Sequence, residues 1–354
     1  MIIIDGSLKS GSGTIVRDAI PFAILKRKPI RLFNIRAKRE KPGLRAQHLK
    51  AMEACARISS GHLNGAAVGS MEITFFPGKG IQGGFFQWDI GTAGSTTMLA
   101  LAILPLMLFA DKPSQIKITG GLFQDFAPSV FHLNHVLLPL LHKMGAKVEL
   151  KIIQPGYVPR GQGQIELNIT PVAQPLKPIS LLEQGEIRSI KGIALSSHLQ
   201  GKKVSERMAD ECIRVLKSRG YEAEISVLYD TRNSPAYKRP AVQPGAALAI
   251  WAETSTGCRL GADMAGALGR PAEFIGRQTA KNLLEDLNTG ATVDRYLADQ
   301  LIPYAALAQG QSQFYIPYMT DHVEARLWLV EEILGAKTKI EDNRIQISGV
   351  GYLP

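Results

Sequence analysis

Three stretches of this chain combine residue types and spacings that could do phosphate chemistry. The first is Asn34 to Lys50, NIRAKREKPGLRAQHLK, where Arg36, Lys38, Arg39, Lys41, Arg45 and Lys50 fall within seventeen residues around a Pro42-Gly43 turn. Basic side chains at a strand end, just before a helix N-terminus, can offer forked guanidinium donors and free backbone N–H groups to one phosphate. A solvated basic loop is the other fate of such a run. The second is the opening, DGSLKSGSGTIVRDAI, a Gly- and Ser-punctuated loop with Arg17 one turn inside the next helix. No Gly-Lys-Ser/Thr closes it, so it is not a P-loop, and Arg17 would serve equally as a surface helix residue. The third is Tyr318-Met319-Thr320-Asp321-His322. With Thr320 or Asp321 as N-cap, His322 falls in the first helical turn. There the positive end of the helix dipole disfavours imidazolium and leaves a nitrogen lone pair for nucleophilic attack. A capping-region histidine without chemistry is the plainer reading of that stretch taken alone.

The totals favour an anionic partner. The chain has 354 residues, 45% of them hydrophobic, and a formal charge of +10. That length suits two domains with a substantial core, and the charge makes nucleic acid the first candidate, because backbone neutralisation supplies most non-specific affinity. The first strand begins at the initiator, with no charged leader or cleavage site, so a cytoplasmic location is expected. The longest apolar run, Met98 to Ala110, has thirteen residues including Pro105. It is too short to span a bilayer and suits a buried helix, so no membrane partner is expected. Cys55, Cys212 and Cys258 lack metal-ligand spacing and are expected to be reduced and structural.

The elements that must position these residues recur. Residues 17 to 81 read as helix, strand (29–35), basic turn, helix (46–59) and strand (71–76). From Ser95 the order returns: an apolar helix, a strand at 115–119, a helix at 130–144 and strands at 147–153 and 164–169. A third round runs from a helix at 271–287 through 294–308 to a helix at 322–335 and a strand at 344–348. With a period of roughly ninety residues these are three αβαβ units, each covering one face of its own sheet, rather than a short-period solenoid. Residues 184–274 fit neither neighbour and read as a small α/β domain inserted in a loop. The expected organisation is therefore α/β, with residues 1–183 and 275–354 forming the large domain. Ile90 to Ser95, IGTAGS, opens a helix with small residues that suit either a phosphate or tight helix packing.

Taken together, the DG-loop-R opening, RAKREKPGLRAQHL, IGTAGSTT, GGLFQDFAPSV, GYVPRGQGQ, GALGRPAEFIG and VDRYLADQLIPYAALA resemble the RNA 3'-terminal phosphate cyclase family over essentially the whole chain. The resemblance implies three repeats like the C-terminal fold of translation initiation factor 3, plus an inserted small α/β domain. It also implies a chemistry in which a histidine takes AMP from ATP, AMP passes to an RNA 3'-terminal phosphate, and the adjacent 2'-hydroxyl closes a 2',3'-cyclic phosphate. On that resemblance His322 is the nucleophile, and Arg17, Arg36, Arg39 and Gln47 surround the phosphates. Tyr296 and Asp299 lie beside the nucleotide and its metal, Mg2+ or Mn2+, with Asp299 as ligand, and Pro128 lines the base pocket.

Several positions depart from the family's pattern. Ser10 stands where a metal-binding carboxylate is usual, Leu101 where a pocket glutamine is usual, and Ala325-Arg326 where Thr-Asn follows the histidine. Gly120-Gly121-Leu122 and Gly161-Gln162-Gly163 replace a Gly-Gly-Thr and a triple glycine. The resemblance therefore leaves two functions open: the ATP-dependent cyclase, or a non-catalytic RNA-binding paralogue acting in RNA processing or ribosome assembly. The paralogue branch lacks the histidine, which this chain keeps. Enolpyruvyl transferases share the repeated architecture, but fold alone does not fix function.

Overall fold

Alternation of apolar residues builds the sheets: Gly163–Thr170, GQIELNIT, buries every second side chain on one face. In the computed structural model, which describes residues 1–353, three four-stranded sheets repeat one arrangement. The first unit comprises β1 (Ile2–Asp5), α1 (Gly13–Leu25), β2 (Ile30–Phe33), α2 (Ala46–Ser59), β3 (His62–Asn64) and β4 (Ile73–Phe76). The second has β5 (Phe85–Asp89), α3 (Thr96–Met107) and β6 (Ser114–Gly120). A helix follows in which a π turn (Leu133–Leu137) joins α4 (Val130–His132) to α5 (Leu138–Lys143), and then come β7 (Lys147–Gln154) and β8 (Gly163–Thr170). The third opens with β9 (Ser180–Leu181).

A separate sheet interrupts the third unit. It is built from β10 (Ile187–Ser197), α6 (Val204–Lys217), β11 (Glu224–Asp230), β12 (Gly245–Thr254), β13 (Arg259–Ala265) and α7 (Ala272–Asn288). The unit then resumes with α8 (Leu297–Gln300), α9 (Ile302–Leu307) and β14 (Gln309–Tyr315). It closes with α10 (Asp321–Leu329), a π turn to Leu334, β15 (Lys337–Glu341) and β16 (Arg344–Val350). The orders β1-β2-β4-β3, β5-β6-β8-β7 and β9-β14-β16-β15 are the same, with the first pair parallel and the others antiparallel.

The repeating unit is thus βαβαββ, and it differs from the expected αβαβ by a leading strand and a closing hairpin. The expected helix at 271–287 forms, but it packs on α6, β12 and β13. Gly276 permits this: a Cβ there would stand 2.3 Å from the Met208 carbonyl oxygen of α6. The first helical segment of the third unit is α8 with α9, and on this packing we place the end of the inserted domain after Asn288. No helix among the described residues is long and apolar enough to cross a membrane. The three cysteines are buried free thiols, and burial pushes those of Cys55 and Cys212 up to about 12.

One buried junction fixes the inserted sheet against the other units. Ahead of α8, the Asp294 carboxylate accepts hydrogen bonds from the Gly261, Tyr296 and Leu297 amides, each at 2.8 Å, and lies 3.1 Å from His132 Nε2. Burial alone would lower the His132 imidazole, but the charge and hydrogen bond of Asp294 outweigh it and raise its pKa. The Asp294 carboxyl, which burial would raise, is held below its ordinary range by His132 and the backbone bonds. Asp294→Ala should cost about 3–5 kcal/mol, because it leaves an uncompensated imidazolium and three unpaired donors. A Tm series would read it. The His132 contribution is fully present below its ordinary value of 6.5 and fades as pH rises through the raised value. That of Asp294 fades as pH falls through its lowered value, below 3.8.

Candidate active site

Helix α1 is the centre around which the site forms, packing against α2, α3 and α10. Ser12 caps it by accepting from the Thr14 amide at 3.3 Å, which turns Thr14 and Arg17 toward one opening. That opening is a cavity of about 780 Å³ lined by all the predicted site residues: Arg17, Arg36, Arg39, Gln47, Pro128, Tyr296, Asp299 and His322. They come from α1, the basic turn, α2, the segment before α4, and the starts of α8 and α10. A depression of about 840 Å³ on the second unit's sheet contains none of them.

His322 is poised as a nucleophile. Thr320 is the N-cap of α10, its hydroxyl accepting from the Val323 amide at 3.2 Å, so His322 sits in the first turn. Its Nδ1 lies 2.9 Å from Thr14 Oγ1, which also accepts from the Arg17 guanidinium at 3.1 Å. A hydroxyl has two lone pairs. With one taken by Arg17, the other can accept from Nδ1–H, and this tautomer leaves the lone pair on Nε2. Burial is the main cause lowering the His322 pKa; Asp299 opposes it, and Arg17, Arg326 and Arg39 reinforce it. The imidazole is therefore neutral at neutral pH.

The cationic wall is held by internal bonds. Burial brings Arg17 down to about 10, so it remains charged. The neighbouring His48 is pushed down to about 3, by burial first and then by Arg17, Arg36 and Arg45, and it stays neutral. Its Nδ1 accepts from the Arg45 amide at 3.2 Å, tying the start of α2 to the wall. Gly13 allows the approach, since a Cβ there would stand 2.2 Å from His48 Nε2. Arg36 sits at φ 55° and donates to the carbonyls of Lys41 at 2.8 Å and Gly43 at 2.7 Å, so it shapes the turn that presents Arg39. Arg39→Ala is accordingly expected to weaken binding of a phosphate-ended RNA about 10- to 100-fold. Arg36→Ala should weaken it further, because the turn is lost with the charge. Anisotropy titrations at fixed salt would rank the two, and equal losses would remove the structural role of Arg36.

The departures have structural counterparts. Ser10 is buried, 2.9 Å from the Ser12 hydroxyl. Lys9 is turned to Glu324 at 2.9 Å, and Leu101 lines the cavity. Arg326, one turn after His322, is buried and reaches two carboxylates: Nε donates to Asp18 at 2.7 Å, and NH1 is 3.0 Å from Asp299 Oδ2. The donors do not fit a metal held by the protein: Asp299 is already ion-paired, and among the described residues no three His, Cys, Asp or Glu form a metal-binding group. IGTAGS serves packing, with the Gly121 amide donating to Gly94 at 2.8 Å and Thr96 donating to Gly121 at 2.9 Å, and none of residues 90–95 lines the cavity. Thr14, Asp18 and His48 were not singled out by sequence reasoning, and no local pattern marks them.

The same convergence can be set beside known proteins. A profile of the RNA 3'-terminal phosphate cyclase family matches residues 8–340. The chain belongs to the RNA 3'-terminal phosphate cyclase family. An RNA 3'-terminal phosphate cyclase from Staphylothermus marinus is 37% identical over 361 residues, covering 100% of this chain and 99% of that protein. One from Ignicoccus hospitalis is 38% identical over 334 residues, covering 94% and 93%. A solved enolpyruvyl transferase, NikO from Streptomyces tendae, is 12% identical, covers 98% of this chain and 51% of that one, and has a TM-score of 0.27, too low to carry an argument. Within the cyclase family, the substitutions at Ser10, Leu101 and Arg326 distinguish this chain's cavity from the usual pattern.

Proposed function

We propose that this member of the cyclase family converts an RNA 3'-terminal phosphate to a 2',3'-cyclic phosphate, with ATP as the activating nucleotide. What supports this is the convergence of a neutral histidine, buried and exposed arginines, Gln47, Tyr296 and Pro128 on one cavity. In the first step His322 Nε2 attacks the α-phosphorus of ATP. The N–P bond forms as the bond to the bridging oxygen breaks, and pyrophosphate leaves with the electron pair. Splitting one displacement into several through a covalent intermediate lowers each barrier. The RNA 3'-phosphate oxygen then takes AMP from His322, which regains its neutral form and leaves the phosphate in an anhydride. Finally the 2'-hydroxyl attacks the 3'-phosphorus, its proton is lost to solvent, the cyclic ester closes and AMP departs. Arg17 and Arg39 would hold phosphoryl oxygens through each step, where positioning and electrostatics supply most of the catalysis.

The test is incubation with α-labelled ATP, followed by addition of RNA ending in a 3'-phosphate. Acid-labile label on the protein, chased into AMP as the RNA end becomes resistant to phosphatase, is the expected result. A protein that binds the RNA but never takes label would be the non-catalytic paralogue.

A further inference from the structure

The residue that departs most sharply from the family's pattern, Arg326, also makes the least expected contact with the cavity. It lies four residues after His322 on α10, hence on the same helix face, and it lines the cavity. The side chain is 4% exposed, and its charge is fixed: burial would lower its pKa, but Asp18 and Asp299 outweigh that and raise it. One edge of the guanidinium is spent on Asp18. The other is not: NH1 is 3.0 Å from Asp299 Oδ2, close enough for an ion pair, yet it makes no hydrogen bond. A buried guanidinium nitrogen without a hydrogen-bond acceptor is costly and rare unless a ligand completes it.

We propose that Arg326 is a resident cation for the nucleotide's phosphates, taking over charge that a divalent ion would otherwise carry in this cavity. This rests on the nucleotide reading given above. Two further features agree with it. Asp299, the carboxylate that the family resemblance assigns to the metal, is engaged by Arg326, and the opening loop has Ser10 where the second carboxylate would stand. As His322 attacks, negative charge builds on the oxygens of the leaving pyrophosphate, and a fixed, desolvated guanidinium can stabilise it without reorganising. The swap is internally consistent: the same substitution that supplies the cation occupies the ligand.

The experiment measures affinity rather than turnover. Binding of an ATP analogue with a methylene in place of the α,β-bridging oxygen is titrated calorimetrically with Mg2+ and with EDTA. The wild-type protein is compared with Asp18→Asn/Arg326→Gln, which removes the buried charge pair together so that folding survives. The Tm of each sample is recorded alongside. Wild-type affinities in Mg2+ and EDTA should agree within about tenfold. The double variant should bind about 10- to 100-fold more weakly in EDTA and recover part of that loss with Mg2+, since Asp299 is then free. Wild-type binding that vanishes in EDTA, with a folded variant behaving identically, would overturn the role of Arg326 while leaving the nucleotide reading intact. No binding under either condition would remove both.

Discussion

His322→Asn should abolish label transfer from ATP, lowering the single-turnover rate by about 10⁴-fold or more, the scale seen when a covalent nucleophile is removed. Asparagine keeps a polar group of similar reach at the start of α10 but has no nucleophilic lone pair, so nucleotide binding should survive. Because burial and three nearby arginines lower the His322 pKa, the wild-type rate should be flat through neutral pH and fall only below the ordinary imidazole value of 6.5. Thr14→Val should keep the fold but free Nδ1 from its partner at 2.9 Å, slowing transfer by about 10- to 100-fold through loss of tautomer and orientation. A Val variant as fast as wild type would show that Thr14 does not orient the ring. If His322→Asn still takes acid-labile label, another residue is the nucleophile.

What could be read from the chain alone divides by range. The α2 helix, expected at 46–59, forms at Ala46–Ser59, and Thr320 caps α10 as its place before an amphipathic run implies. These follow from local caps and apolar period. Strand β14, QGQSQFY, escaped because most of its residues are polar and only Ser312 and Phe314 are buried, so it carries little alternation to recognise. The amphipathic pattern of α7 shows that one face is buried but not against which sheet, and the close approach at Gly276 decides it. In the site, the basic turn and His322 stood out by type, whereas the bonds that tune them did not. Thr14 to His322 and Asp18 to Arg326 each join residues 308 apart in the chain, and separation of that size leaves no trace in local composition.

Arg326→Ala should be the most destabilising single change in the cavity, lowering stability by about 3–5 kcal/mol and the Tm accordingly. The reason is not the strength of the native pair, because a buried ion pair gains little over apolar packing. Removing the guanidinium leaves Asp18, 5% exposed, and Asp299 facing each other with no cation between them. Burial already raises the Asp299 carboxyl above its ordinary 3.8 even with Arg326 opposing, so its ionised form is disfavoured by folding, and losing Arg326 deepens that. A group raised in the folded state contributes stability below its unfolded value and loses it as pH rises through the folded one. The deficit of Arg326→Ala relative to wild type should therefore shrink as pH falls into the carboxylate range. Asp18→Asn added to Arg326→Ala should recover part of the loss, because one of the stranded charges is gone, and the cycle of Tm values measures the coupling. A pH-independent deficit, or a double variant no more stable than Arg326→Ala, would mean the side chain acts by filling space rather than by charge. A residue whose two partners make it this hard to remove, placed one turn from the histidine and presenting an unspent N–H to the cavity, is held for what it offers the ligand more than for what it adds to the fold.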